Sequence, residues 1–173
     1  GRPGAYIHVS AVTPATWVDA NDAPVTSGPY SLATLPTKGV LDGARVYCFD
    51  CTYGGDTGVR VTYDATASIW RDQGRMPAQK NPYKLADLEA LPSTSVINGS
   101  VTYCVDCTYL GVTGVFAHYS TAINGWLDPS QLPISTTAFT TTTLPTANVA
   151  SGAVTICSDC SVNNQVGALV HFN

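Results

Sequence analysis

Charge is scarce in this chain. Only 12% of its 173 residues are charged, about half the share of an average soluble domain, and the eight Lys and Arg residues are scattered along it. With a net charge of −4 and a pI near 5.0, it lacks the clustered basic surface that binds phosphate, which argues against a nucleic-acid partner. No run approaches the ~18 apolar residues that suggest a membrane span. Catalytic signatures are missing too. There is no Gly-x-Ser-x-Gly, no His-Glu-x-x-His and no phosphate-cradling glycine loop, and the histidines have no matched acidic partners. The expectation is a non-enzyme with no cofactor.

Thr, Ser, Gly and Pro take the place of the missing charge. Many β-branched residues and turn formers with few Glu and Lys describe an all-β protein, often an extracellular one. All six cysteines fall in three Cys-x-Asp-Cys units: Cys48 with Cys51, Cys104 with Cys107, and Cys157 with Cys160. The second Cys of each precedes a glycine by seven residues, at Gly58, Gly114 and Gly167. Each glycine opens a short strand, Gly58 to Tyr63, Gly114 to Tyr119 and Gly167 to Phe172, and a fourth copy runs from Gly4 to Val9.

Turn formers follow these strands, Thr13-Pro14, Asp64-Ala65-Thr66 and Ile123-Asn124-Gly125, and then come Trp17, Trp70 and Trp126. Each phrase reads as a hairpin whose returning arm carries the Trp. The Trp-to-Trp periods are 53 and 56 residues, so length differences fall in the connection from Trp to Cys, where loops absorb them. That connection contains Leu35-Pro36, Leu91-Pro92 and Leu144-Pro145, and in two copies Pro29-Tyr30 and Pro82-Tyr83. Lys84 to Leu91 has room for two turns of helix, but Thr140 to Thr143 replaces it in the third copy, so a helix there is optional.

The fold class read from this is a tandem of small antiparallel β modules, hairpin or sandwich-like, in three out-of-phase repeats. The segments are 1–57 (the second half of one repeat plus the Cys48/Cys51 strand), the repeat units 58–113 and 114–166, and 167–173, the start of a further repeat as a strand without its Trp. Either the sequence is a piece of a longer array, or half-units complete each other between molecules by strand exchange. Both predict exposed β edges and homo-oligomer or filament neighbours.

Cysteines at this spacing fit a local disulfide, half of a four-cysteine metal site, or a redox pair. A redox pair needs a helix N-terminus in a βαβ setting. A zinc site needs four ligands, which leaves one of three pairs over unless subunits share metal. Free buried thiols are the plain alternative. A disulfide requires the strand to bend, because residues three apart in an extended strand stand about 10 Å apart, beyond the roughly 7 Å bridging limit. The Asp at the third position supplies the bend by capping nearby N–H groups, making the unit a strand-ending clasp.

His8, His118 and His171 share one register of the Gly-led strand, and Thr62 fills it in the remaining copy. A metal- or anion-binding ladder is one reading and a tolerant half-exposed position the other. The tryptophans, with Tyr63 and Tyr119, are the predicted repeat core, each Trp facing an aromatic on its partner strand. Sugar stacking on these rings is the alternative. Asn98-Gly99-Ser100 fits a glycosylation sequon.

The order Leu-Pro, Asn/Asp-Gly, a strand such as Val101-Thr102-Tyr103-Cys104-Val105-Asp106-Cys107-Thr108, and then Gly58 through Trp70-Arg71 resembles small β modules of bacteriophage tail fibres, head fibres and related virion appendages. The resemblance implies a rigid, usually trimeric fibre or decoration protein at the virion surface, with other virion proteins and host-surface glycans as partners. It supplies no catalytic residues. Paired cysteines depart from many such modules, which leaves a pseudo-threefold monomer or a string of beads beside the trimer. A secreted bacterial adhesin or extracellular filament subunit, and a carbohydrate-binding repeat protein, are the alternatives.

Overall fold

The computed structural model describes residues 7–9, 17–24 and 29–173, leaving aside the side chains of 7–9 and 17. Gly4, Tyr6, the Thr13-Pro14 turn and the side chains of His8 and Trp17 lie outside the described residues. The chain forms two compact units, 1–81 and 82–173.

In the first unit β1 (Ile7–Val9) pairs antiparallel with β2 (Trp17–Asp19). A 3-10 turn (Leu32–Thr34) precedes a three-stranded antiparallel sheet of β3 (Arg45–Tyr53), β4 (Asp56–Asp64) and β5 (Ile69–Arg71). The second unit holds helix α1 (Leu85–Ala90), then β6 (Val101–Tyr109), β7 (Val112–Ser120) and β8 (Gly125–Leu127) in the same order, and the two-stranded sheet of β9 (Val154–Val162) and β10 (Gln165–His171). The all-β, modular reading therefore holds. In the two three-stranded sheets the connection packs on the buried side, Leu32 and Leu35 against the first and Leu88 beside Trp126 of the second, so a connection stands where a sandwich would place a second sheet.

The alternation of side chains dictates which face is buried. Val46 and Cys48 on β3, with Val59, Val61 and Tyr63 on β4, turn inward to meet Ala44 and Trp70. Tyr63 stands directly opposite Trp70, and Tyr119 opposite Trp126. Their ring centroids are 5.2 and 5.3 Å apart, within the range of favourable aromatic pairs. The rings are buried, with Trp70 5% and Trp126 7% exposed, so they serve as core and are not stacking platforms for sugar.

Backbone pairing attaches each connection to the Cys strand that follows it. Tyr30, Tyr83 and Phe139 bridge in parallel to Cys48, Cys104 and Cys157. The Trp70 indole N–H donates to the Pro36 carbonyl at 2.7 Å, and Trp126 donates to the Leu88 carbonyl at 3.2 Å. The optional helix is present as α1 in one copy, while the first copy uses the 3-10 turn and the third a Thr140–Leu144 turn.

These pairings restrict the expected open edges. The Phe49, Val105 and Ser158 N–H groups donate to the Tyr30, Tyr83 and Phe139 carbonyls. Thr52 and Thr108 donate to Gln79 and Ser135, and Ala78 and Ile134 close the far edge onto the Trp70 and Trp126 carbonyls. β3, β6 and β9 are edge strands as well, but each is bridged at its first cysteine by a connection, whereas among the described residues β10 pairs with β9 alone.

Candidate functional site

The feature repeated three times is the Cys-x-Asp-Cys bulge. In a regular strand, residues three apart point to opposite faces. Here Cys48 pairs with Val59 and Thr52 with Thr57, so residues 49–51 stand opposite the single residue Gly58. The same three-against-one bulge faces Gly114 and Gly167. The inserted residues reset the alternation, and both cysteines of the first two units are buried on one face with none of their surface exposed. Their Cα atoms come within 5.4 Å in those units and 5.3 Å in the third, and each pair is joined as a disulfide.

The strand nevertheless runs on past the second cysteine, to Tyr53, Tyr109 and Val162. The clasp lies inside the strand, as a bulge, and does not end it. Each facing glycine has φ between +84° and +88°, a backbone state open to glycine at little cost. A Cβ on Gly58 would stand 2.2 Å from the Tyr47 hydroxyl, and one on Gly114 would stand 2.0 Å from that of Tyr103. The tyrosine rings therefore occupy the space that the glycines leave.

The aspartate between the cysteines reaches further than expected. Asp50 Oδ1 accepts from the Leu32 N–H at 2.6 Å, Asp106 from Leu85 at 2.8 Å, and Asp159 from Thr141 at 2.6 Å. These partners lie 18 to 21 residues away in the connection. The carboxylate thus fastens the connection to the bulge instead of capping a turn of its own. The Lys80 ammonium, 2.9 Å from Asp50, and the Leu32 N–H hold the Asp50 carboxyl below its usual range.

In each unit two sulfurs and one carboxylate oxygen lie within 4.8 Å of one another. A zinc centre takes four ligands and needs thiolates. As disulfides these sulfurs are unsuited to that chemistry, and reduction would release only three donors per unit. Reduction should lower each module's stability by about 2 kcal/mol, the chain-entropy value for so short a loop. The intact mass should rise by six hydrogens across three disulfides. Six thiols alkylated without reductant, with stoichiometric zinc, would refute the assignment.

A second repeated device went unread in the sequence. Two residues after each Trp stands an aspartate: Asp19, Asp72 and Asp128. Asp72 Oδ1 accepts from the Gly74 and Met76 N–H groups at 2.8 and 2.9 Å, and Asp128 from Ser130 and Leu132 at 2.8 and 3.0 Å. Asp19 accepts from Asn21 and Ala23 in the same way. Burial pushes Asp72 up to about 7 and raises Asp128 as well. The signal that would have revealed this loop is Trp-x-Asp-x-x-x followed by Ala, Met or Leu.

His118 is half-buried with Nε2 3.3 Å from Gln131 Oε1, and His171 is exposed. Neither belongs to a metal-ligand cluster among the described residues. Ser100 of the sequon is fully buried, its hydroxyl accepting from the Ile97 N–H at 3.2 Å. No helix among the described residues is long and apolar enough to cross a membrane. No known protein family, curated protein or solved structure matches the chain.

Proposed function

We propose that this chain is a non-enzymatic structural protein of a virion appendage, a tail or head fibre or a decoration protein, which assembles with its neighbours and presents a host-attachment surface. The observation that carries this reading is where the repeated polar groups go. Asp50, Asp106 and Asp159 anchor connections, and Asp72 and Asp128 close loops. The chemistry that recurs from copy to copy is committed to construction, and variety is left to the outer sheet face. Disulfides fit an oxidising, extracellular setting. A host glycan would meet exposed rings such as Phe116, because Trp70 and Trp126 are covered.

The second reading is a secreted adhesin or extracellular filament subunit. It is favoured by apolar residues left open at one hairpin tip, Val162 and Val166. Gold-labelled antibody against the purified chain separates the two. Labelling of appendages on phage particles is the expected result, and labelling confined to bacterial surface filaments would replace the first reading with the second.

A further inference from the structure

The chain shows in two places how one module meets the next. In the first unit the loop closed by Asp19 reaches the beginning of the following Cys strand, where the Arg45 N–H donates to the Asn21 carbonyl at 3.1 Å. In the second unit the β6–β7 hairpin tip lies beside the outer face of the β9–β10 sheet, and a Cβ on Gly111 would stand 4.0 Å from Ile156 Cδ1. Tip and loop belong to the same end of a module. The Tyr109 hydroxyl, beside the β6–β7 tip, is 3.0 Å from Ser130 Oγ in the loop closed by Asp128. Within each unit, then, the distal end of one module abuts the start of the next module's Cys strand.

A tip and a face of this kind are exposed among the described residues. The β9–β10 tip exposes Val162 by 56% and Val166 by 73%. On β3 the outer face exposes Tyr47 by 54% and Phe49 by 48%, and Tyr47 occupies the register of Ile156: it precedes the first Cys of its unit by one residue, as Ile156 does. Arg45 and Arg60 flank these rings, opposite a tip whose Asn163, Asn164 and Gln165 offer amide oxygens and no cation.

We propose that a second copy of this chain docks head to tail, with the Val162–Val166 tip of one copy seated on the Tyr47–Phe49 face of the next. The contact repeats between molecules what the Gly111 tip does to the Ile156 face within one chain. It is a heterologous interface, which propagates unless its rotation closes a ring. A hairpin tip covers less than the roughly 1,200 Å² of a stable pair, so association is weak and depends on concentration. The proposal rests on the reading of the chain as an assembling structural protein and specifies the partner and the surface.

Sedimentation velocity on the wild type, Val166→Asp, Phe49→Asp and an equimolar mixture of the two variants tests it. The wild type should associate as concentration rises. Each variant alone should associate at least about tenfold more weakly, as expected for an anchor in an interface centre. The mixture should form dimers and stop there, because only one intact tip and one intact face remain to meet. Both substitutions are at exposed positions, and unchanged circular dichroism verifies folding; Val162→Asp and Phe49→Ser replace either variant that fails it. Undiminished association of both variants overturns this interface and leaves the structural reading standing. Association kept by Val166→Asp alone means a face-to-face contact and overturns it too. So does a mixture that stays monomeric, or a wild type that is monomeric throughout, while antibody labelling decides the structural reading independently.

Discussion

Replacing Trp70 by Ala should destabilise the module that holds it by about 3–5 kcal/mol, the usual loss when a large buried aromatic is truncated. That is a large part of the total stability of a small unit. Three contributions coincide at this side chain. Its ring lies against Tyr63 at 5.2 Å between centroids. Its apolar surface closes the space beneath Ala44, Val46 and Val61. Its indole N–H satisfies the Pro36 carbonyl across 34 residues of sequence, tying the connection to the sheet.

Trp70→Phe separates these contributions. It keeps the ring pair but leaves the carbonyl without its donor, and should cost about 1–3 kcal/mol. Amide hydrogen exchange is the suitable measurement, because it reports local opening segment by segment. In Trp70→Ala, protection should fall across β3, β4 and β5, while β6, β7 and β8, in the other compact unit, keep theirs. Unchanged protection in β3 to β5 would remove Trp70 from the core and reopen a surface role for it.

The hairpin and its Trp were legible because their determinants are close in sequence. A glycine-led strand, a turn and a Trp lie within about a dozen residues, and three copies at matched spacing reinforce one another. The bulge was half legible. Cysteine spacing and strand geometry together demanded a bend, but the bend's cause lay elsewhere: the glycine at positive φ on the neighbouring strand and the two extra residues opposite it. Asp50 was misassigned because its partner, the Leu32 N–H, is 18 residues away. Side-chain bonds to distant backbone leave no periodic mark. Asp19, Asp72 and Asp128 escaped for another reason. They sit where the strand pattern stops, and between the Asp and the closing apolar residue the copies share no residue at a matched position. The attachment of each connection to the following strand was likewise hidden, since parallel bridges such as Tyr30 to Cys48 depend on tertiary packing alone.

The aspartate loops lead to the second large effect, a pH dependence centred on Asp72. Its carboxyl is buried, and the loss of solvation outweighs the Met76 and Gly74 N–H groups and the nearby Arg71 guanidinium, so it is pushed up to about 7 from an ordinary 3.8. In the unfolded chain Asp72 releases its proton near 3.8, whereas in the folded chain it keeps it to about 7. Between those values the folded state binds more protons, so stability falls as pH rises through this window. The contribution is fully present below 3.8 and lost above about 7. A shift of this size is worth on the order of 4 kcal/mol. Asp128 is raised by the same cause and acts in the same direction. Asp50 and Asp64 are lowered, Asp50 chiefly by Lys80 and Asp64 by the Ala67 N–H and then Arg71. Their contribution has the opposite sign and is lost only as pH falls below 3.8. Asp72→Asn keeps the acceptor oxygen for Gly74 and Met76 and removes the charge. Urea unfolding of the wild type and the variant at intervals from pH 4 to pH 8 should give similar stabilities at the acid end, with the variant gaining an advantage on the order of 4 kcal/mol by pH 8. An advantage that does not change with pH would mean that Asp72 is ionised in the folded protein throughout, its charge carried by the two loop N–H groups and Arg71 together.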